Sequence, residues 1–284
     1  MKKVVLMCLL LSLKIFSLDI VGKYVVGEKG EKIPLKEYKR IVIYNFGAVE
    51  ILYELGAEDK IVAIANHSKK IWPQEKTEKL PLAGSISKPS LEKILSYNPD
   101  LVIFNVMGNE RVGLEKFGIP SITFANKNLD DILKNTLILG KLTNREKESE
   151  KLVEKLKARL RYINENLKLE GKALILYSDS PPTSFERKSL PVEILESLGL
   201  EVIIPEMGKK SIISSEYILK ENPKYIIGTR GVKNIDGIIN GLPLIEETDA
   251  YKNKNIHVID SSEILRASHR VFDEIEKVYI ELKK

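Results

Sequence analysis

The sequence predicts an α/β fold: two lobes with mostly parallel sheets, joined by one long helix. Three observations carry this. Short β-branched, apolar runs alternate with amphipathic helical stretches, the pattern of a parallel sheet covered by helices. A helix, an Asn-Pro stop and a buried strand occur as one unit in "PSLEKILSYNPDLVIF" (89–104) and again in "SSEYILKENPKYIIG" (214–228). The copies lie roughly 120 residues apart, too far for a short-period solenoid and right for two similar lobes. Between them, "NREKESEKLVEKLKARLRYINENLK" (144–168) has no glycine or proline and is rich in helix formers.

In chain order, residues 19–37 form a short polar lead compatible with a hairpin. "KRIVIYNFGAVEILYELGAEDKIVAIAN" then reads as a strand (Ile41 to Tyr44), a helix (Ala48 to Leu55), a stop at Gly56 and a strand (Ile61 to Ala65). In the first repeat Ser90 caps a helix that Pro99 ends, and Leu101 to Phe104 is the strand. "LEKFGIPSITF" (114–124) adds a helix end and a strand. In the connector, Leu152, Leu156, Leu160 and Ile163 recur at helical spacing, predicting an amphipathic helix about 35 Å long at 1.5 Å per residue. The alternation resumes with strand 172–178, helix and strand in "SLPVEILESLGLEVII", the second repeat, strand 255–260 and a closing helix in "SHRVFDEIEKVYIELKK". The resulting division is 1–18 as a leader, 38–143 as the first lobe, 144–168 as the connector and 169–284 as the second lobe.

The chain has 284 residues, 43% hydrophobic and 30% charged, with a formal net charge of +5. Its lysines are dispersed among acids, so nothing argues for nucleic acid. Residues 1–18 read as a cleaved secretory signal peptide: Lys2 and Lys3 precede an apolar core of about ten residues, too short to span a bilayer. An uncleaved anchor is the alternative, and cleavage is expected near Ser17. Cys8, the one cysteine, lies inside that core and too near Met1 for lipoprotein acylation. The mature chain then has no cysteine, which suits an oxidising compartment.

Taken together and in order, "RIVIYNFGAVEILYELGAEDKIVAIAN", "PLAGSISKPSLEKILSYNPDLVIF", "SLPVEILESLGLEVI" and "LRASHRVFDEIEKV" resemble one family over nearly the whole mature chain. It comprises the periplasmic substrate-binding proteins of ABC importers for ferric siderophores, haem and cobalamin. The resemblance implies two α/β lobes joined by a single rigid helix, a ligand held between them, and a periplasmic location. It also implies one exposed glutamate near the tip of each lobe, docking onto arginines of one permease subunit of a two-fold transporter. Glu92 and Glu216 occupy the matching positions. Read from the residues alone, each is an acid favoured by its helix dipole.

In such a fold the ligand sits where loops follow the strand ends. Tyr44, Phe46 and Trp72 can stack on a flat chelate there, and Lys88, Arg187, Arg230 and Arg266 can meet its carboxylates or catecholates. Each has a plainer reading: Tyr44 as core, Trp72 as packing beside its proline, Arg266 as the partner of a nearby acid. Haem would favour a tyrosine or histidine axial ligand. His67 is the candidate on a cleft loop, whereas His257 is expected to be packed and His269 exposed. No histidine–acid cluster has bare-metal spacing and no catalytic motif is present. The expectation is a monomeric binding protein with no catalytic residue, metal ligand or resident cofactor. A bare-metal binder and an exported α/β enzyme are the alternatives.

Overall fold

The computed structural model describes residues 18–67, 71–106, 110–205 and 212–284. The leader reading falls on residues 1–17, outside the described residues, except for Leu18, which is 1% exposed and packs in the main core. The polar lead forms an antiparallel meander of β1 (Asp19–Val21), β2 (Tyr24–Val26) and β3 (Lys32–Pro34). It joins the first lobe: Val25 and Ile33 enter the main core, and buried Glu31 accepts a hydrogen bond from the Thr123 amide at 3.2 Å.

The first lobe runs β4 (Ile41–Ile43), α1 (Phe46–Glu54), β5 (Ile61–Asn66), α2 (Gln74–Thr77), β6 (Leu82–Ser85), α3 (Leu91–Ser96), β7 (Leu101–Phe104), α4 (Glu110–Lys116), β8 (Ser121–Thr123) and α5 (Leu129–Leu142). Its sheet has the order β6-β5-β4-β7-β8, and every pairing is parallel. Gly56, at φ 66°, ends α1 in the left-handed region that glycine enters freely. The sequence reading leaves 129–142 unassigned, yet it is a full helix capped by Asn128, whose side chain accepts from the Asp131 amide.

The connector is α6 (Glu146–Asn166), 21 residues and so about 31 Å long. The second lobe follows with β9 (Lys172–Asp179), β10 (Pro182–Ser184), α7 (Leu190–Ser197), β11 (Glu201–Val202), α8 (Ser215–Glu221), β12 (Tyr225–Gly228), α9 (Ile235–Gly241), α10 (Asp249–Lys252), β13 (Ile256–Val258), α11 (Ser262–Arg266) and α12 (Val271–Leu282). Strand order is β10-β9-β12-β13, with β11 also on β9; β10 alone of these runs antiparallel, as the return arm of a hairpin.

Strand periodicity explains the layering. In β4 and β7, Ile41, Ile43, Leu101 and Ile103 point to one core, while Val42, Val102 and Phe104 point to another. In β9, Ala173 and Ile175 share the first core, while Leu174 and Leu176 join a third. The shared core crosses between lobes through Leu152, Leu156 and Ile163 of α6, with Phe272 and Ile275 of α12, and Leu160 packs against it. An Arg159–Glu276 ion pair ties α6 to α12. Each lobe's separate core lies on its outer face, where α3 and α8 seat Ile94 and Ile218. Lobes fused along a continuous helix and a common core resist the wide hinge opening that flexible connectors permit.

Candidate functional site

The strand ends of the two sheets converge on an inter-lobe cavity of about 530 Å³. The first lobe supplies a wall of aromatic and amide groups. Tyr44 forms its floor: 1% exposed, it stacks on Phe104 with centroids 5.3 Å apart, and its hydroxyl donates to the Ala83 carbonyl at 2.5 Å. Burial pushes the phenol up to about 12. It is therefore a hydrogen-bonded phenol rather than a ready phenolate. Phe46, half-buried, meets His67 edge to face at 5.8 Å.

Three asparagines line this wall, each at the end of a strand: Asn45 after β4, Asn66 closing β5, Asn105 after β7. Asn45 is spent on structure. Its Oδ1 accepts from the Ala48 amide at 2.8 Å, capping α1, and its Nδ2 donates to the Phe124 carbonyl at 2.5 Å. Asn66 Oδ1 accepts from the Gly84 amide at 3.1 Å. Asn105 Oδ1 accepts from Asn45 Nδ2 at 3.2 Å and stays exposed.

The second lobe supplies the cationic wall, with Arg230, Ser262, Leu265 and Arg266. Arg230 is exposed and sits at φ 36°, a conformation rare for a side chain other than glycine. Its amide donates to Ser261 Oγ at 3.1 Å and its guanidinium lies 5.5 Å from the Tyr177 ring centroid. Arg266 is different. Its side chain is 9% exposed and donates to Glu263 at 2.8 Å and to Glu50 at 3.3 Å. Glu50 is fully buried; burial pushes its carboxyl up, against hydrogen bonds from Ser268 and the Trp72 amide that pull it down.

Of the candidate ligand residues, Tyr44, Phe46, His67, Arg230 and Arg266 line the cavity, and Trp72, Lys88 and Arg187 do not. Trp72 has its amide drawn to Glu50 at 3.1 Å, and its ring packs edge to face on His269 at 5.6 Å. Lys88 closes the exposed turn from Ser85. Arg187 is turned back to donate to the Val202 and Ile204 carbonyls at 3.3 and 3.4 Å. His269 corrects the expectation of exposure: it is 9% exposed, and burial pushes its imidazole down to about 3. Its nitrogen lies 3.6 Å from Glu54, but a neutral ring forms no ion pair there. His257 is half-buried in β13 and lowered by the same cause. Among the described residues no group of three or more His, Cys, Asp or Glu could hold a metal ion.

The sequence reading passed over Glu50 and the three asparagines. Both had a signal: an acid inside the apolar run "AVEILYEL", and asparagine closing "IVIYN", "VAIAN" and "LVIFN". Outside the cavity lining, Glu92 and Glu216 are exposed in the first turns of α3 and α8. Ser90 accepts from the Lys93 amide at 3.3 Å, and Ser214 from the Tyr217 amide at 3.2 Å.

Residues 41–263 match the family described as Periplasmic binding protein. Among sequence relatives, the Vitamin B12-binding protein of Vibrio campbellii (strain ATCC BAA-1116) is 26% identical over 250 residues, covering 84% of this chain and 88% of that one. The Petrobactin-binding protein YclQ of Bacillus subtilis (strain 168) is 26% identical over 259 residues, covering 85% and 80%. The crystal structure of YclQ superposes with a TM-score of 0.75 at 20% identity, covering 92% of this chain and 98% of that one. The periplasmic heme-binding protein RhuT from Roseiflexus sp. RS-1, in apo form, gives 0.72 at 22% identity, covering 87% and 98%.

Proposed function

The chain belongs to the periplasmic binding protein family, and from that premise we propose that it captures a metal chelate in the inter-lobe cleft and delivers it to the permease of an ABC transporter. The chelate is an iron complex, either a ferric siderophore or haem, or else cobalamin. The observation that carries this reading is the cleft itself: about 530 Å³ between an aromatic and amide wall and a wall bearing Arg230. Flat ring systems stack on Phe46 and His67, and an anionic edge meets the guanidinium. Delivery uses Glu92 and Glu216, one on each lobe, as two like charges that meet two symmetric cationic pockets. The protein works as an exported monomer, released by cleavage near Ser17.

The experiment is a titration of purified protein with haem, cyanocobalamin and ferric petrobactin, followed by visible absorption and by quenching of Trp72, with a check for chemical change in the chelate. Saturable binding of one chelate without turnover is expected. Failure of all three to bind, or conversion of any of them, would overturn the reading. Mass spectrometry of the exported chain tests the leader, and a mature protein retaining Cys8 would contradict it.

A further inference from the structure

The last stretch of the second lobe does not stay in its own lobe. Between α11 and α12, residues 266–270 cross to α1 of the first lobe and are held there at several points. Ser268 Oγ donates to Glu50 Oε2 at 2.5 Å, and Arg266 Nη1 reaches Glu50 Oε1 at 3.3 Å. Arg270 Nη1 stands 4.0 Å from the same oxygen and 3.1 Å from Glu263 Oε2. Asn126 of the first lobe donates to the Ala267 carbonyl at 2.6 Å. Gly47 makes the approach possible, since a Cβ there would run into the Arg266 and Ala267 carbonyls. Ala267 itself sits at φ 54°, a strained conformation that persists only where surrounding contacts impose it. On the far side of Glu50, Trp72 completes the cluster: its amide donates to the carboxylate, and its ring lies against His269 and 5.8 Å from the Arg270 guanidinium.

The same segment carries part of the second cleft wall, Leu265 and Arg266. We propose that Glu50 is a positioning residue of the cleft: it clamps 266–270 onto α1 and so fixes where Leu265 and Arg266 stand opposite the aromatic wall. A fully buried carboxylate with donors from two lobes is expensive to leave half-paired, so the clamp tolerates one arrangement of the lobes rather than a range. Arg266 then acts as the neutralised end of a strut more than as a free cation for ligand. The inference rests on the cleft being the ligand site, but its first readout does not.

That readout is Trp72, the only tryptophan in the chain. Glu50→Gln and Ser268→Ala are compared with Ile238→Ala, a truncation in the outer core of the second lobe. In ligand-free protein, both clamp variants are expected to shift Trp72 emission to the red and to expose it to acrylamide, while Ile238→Ala lowers Tm without either change. With haem, cyanocobalamin and ferric petrobactin as probes, Ser268→Ala is expected to weaken Kd about tenfold, the loss of one hydrogen bond to a charged group. Glu50→Gln removes the charge that Ser268, Arg266 and the Trp72 amide share and turns one acceptor oxygen into an N–H donor, so it should weaken Kd at least as much. Wild-type emission in both clamp variants would overturn the proposal, as would a Kd change no larger than that of Ile238→Ala at an equal loss of Tm. If no probe binds the wild type, the chelate reading fails, and the Trp72 emission still decides the clamp.

Discussion

The helix, Asn-Pro and strand unit occurs once in each lobe, and the copies agree at one end and diverge at the other. At the helix end they are near superposable in chemistry. Ser90 and Ser214 cap, Glu92 and Glu216 stand exposed in the first turn, and Asn98 and Asn222 stop the helix at φ 46° and 43°. At the strand end the residues change kind. Phe104, stacked on Tyr44, corresponds to Gly228; Asn105 corresponds to Thr229, whose hydroxyl donates to Leu176; and Val106 corresponds to Arg230. The difference follows from what each end must do. The helix start has orphan N–H groups that a few side chains satisfy, so its code is local and repeatable. The strand end opens into loops that each lobe holds by its own contacts, Asn105 to Asn45 in the first and Arg230 to Ser261 in the second, which lets one wall be aromatic and amide and the other cationic.

The largest expected effect tests the end that agrees. Under the docking proposal, Glu92→Lys with Glu216→Lys abolishes uptake in cells carrying the cognate transporter, while purified protein keeps its ligand affinity. Attraction becomes repulsion at two contacts, which typically costs several kcal/mol at a close interface. Either reversal alone reduces transport partly. Normal uptake by the double variant would leave these acids as helix-end residues and nothing more.

The other predictions probe the end that diverges. Gly228→Ala brings a Cβ within 2.6 Å of Val232 Cγ1 and 2.9 Å of Ile238 Cδ1, so it should cost about 1–3 kcal/mol in a denaturant titration. An unchanged midpoint would mean that this strand end is as roomy as its counterpart at Phe104. Arg230→Ala removes the exposed guanidinium from the second wall and should weaken chelate binding about tenfold at unaltered Tm. Full retention of affinity would make the two walls equivalent for the ligand. The smallest effect separates the helix stops. Asn222 Oδ1 accepts from the Asp249 amide at 2.9 Å, so Asn222→Gly should lose about 1 kcal/mol. Asn98, exposed like Asn222, engages Arg40 through its backbone carbonyl at 2.9 Å, which glycine keeps, so Asn98→Gly should stay within about 0.5 kcal/mol. Equal shifts in Tm would erase the distinction.

Much of the cleft was legible before the fold was known, because strand ends and helix starts write themselves in a few neighbouring residues. Tyr44, Phe46 and His67 follow strands and line the cavity, as does Arg230 in "GTRG". Trp72, Lys88 and Arg187 stand on equally plausible loops but do not line the cavity: the Trp72 ring packs on His269, Lys88 closes a tight turn, and Arg187 is captured by the Val202 and Ile204 carbonyls. The α5 helix went unread although its signal is local: Asn128 caps it, acids fill its first turn, and Leu129, Ile132, Leu133 and Leu139 recur at helical spacing on the face that packs in the main core.

By itself the sequence determined most of the strands and helices, the two-lobe plan, the connecting helix and the paired acids. Those follow from burial with period 2 or 3.6, caps and proline stops, all of which act over a few residues. Only the tertiary structure decided which cation stays available to the cleft and which is consumed. Arg266 and Arg230 look alike in sequence, but Arg266 meets Glu50 from 216 positions away, and Ser268 meets it from 218. A contact across such a separation has no local signature. Its energy appears only when the shared core brings the two lobes together and excludes water from the charge.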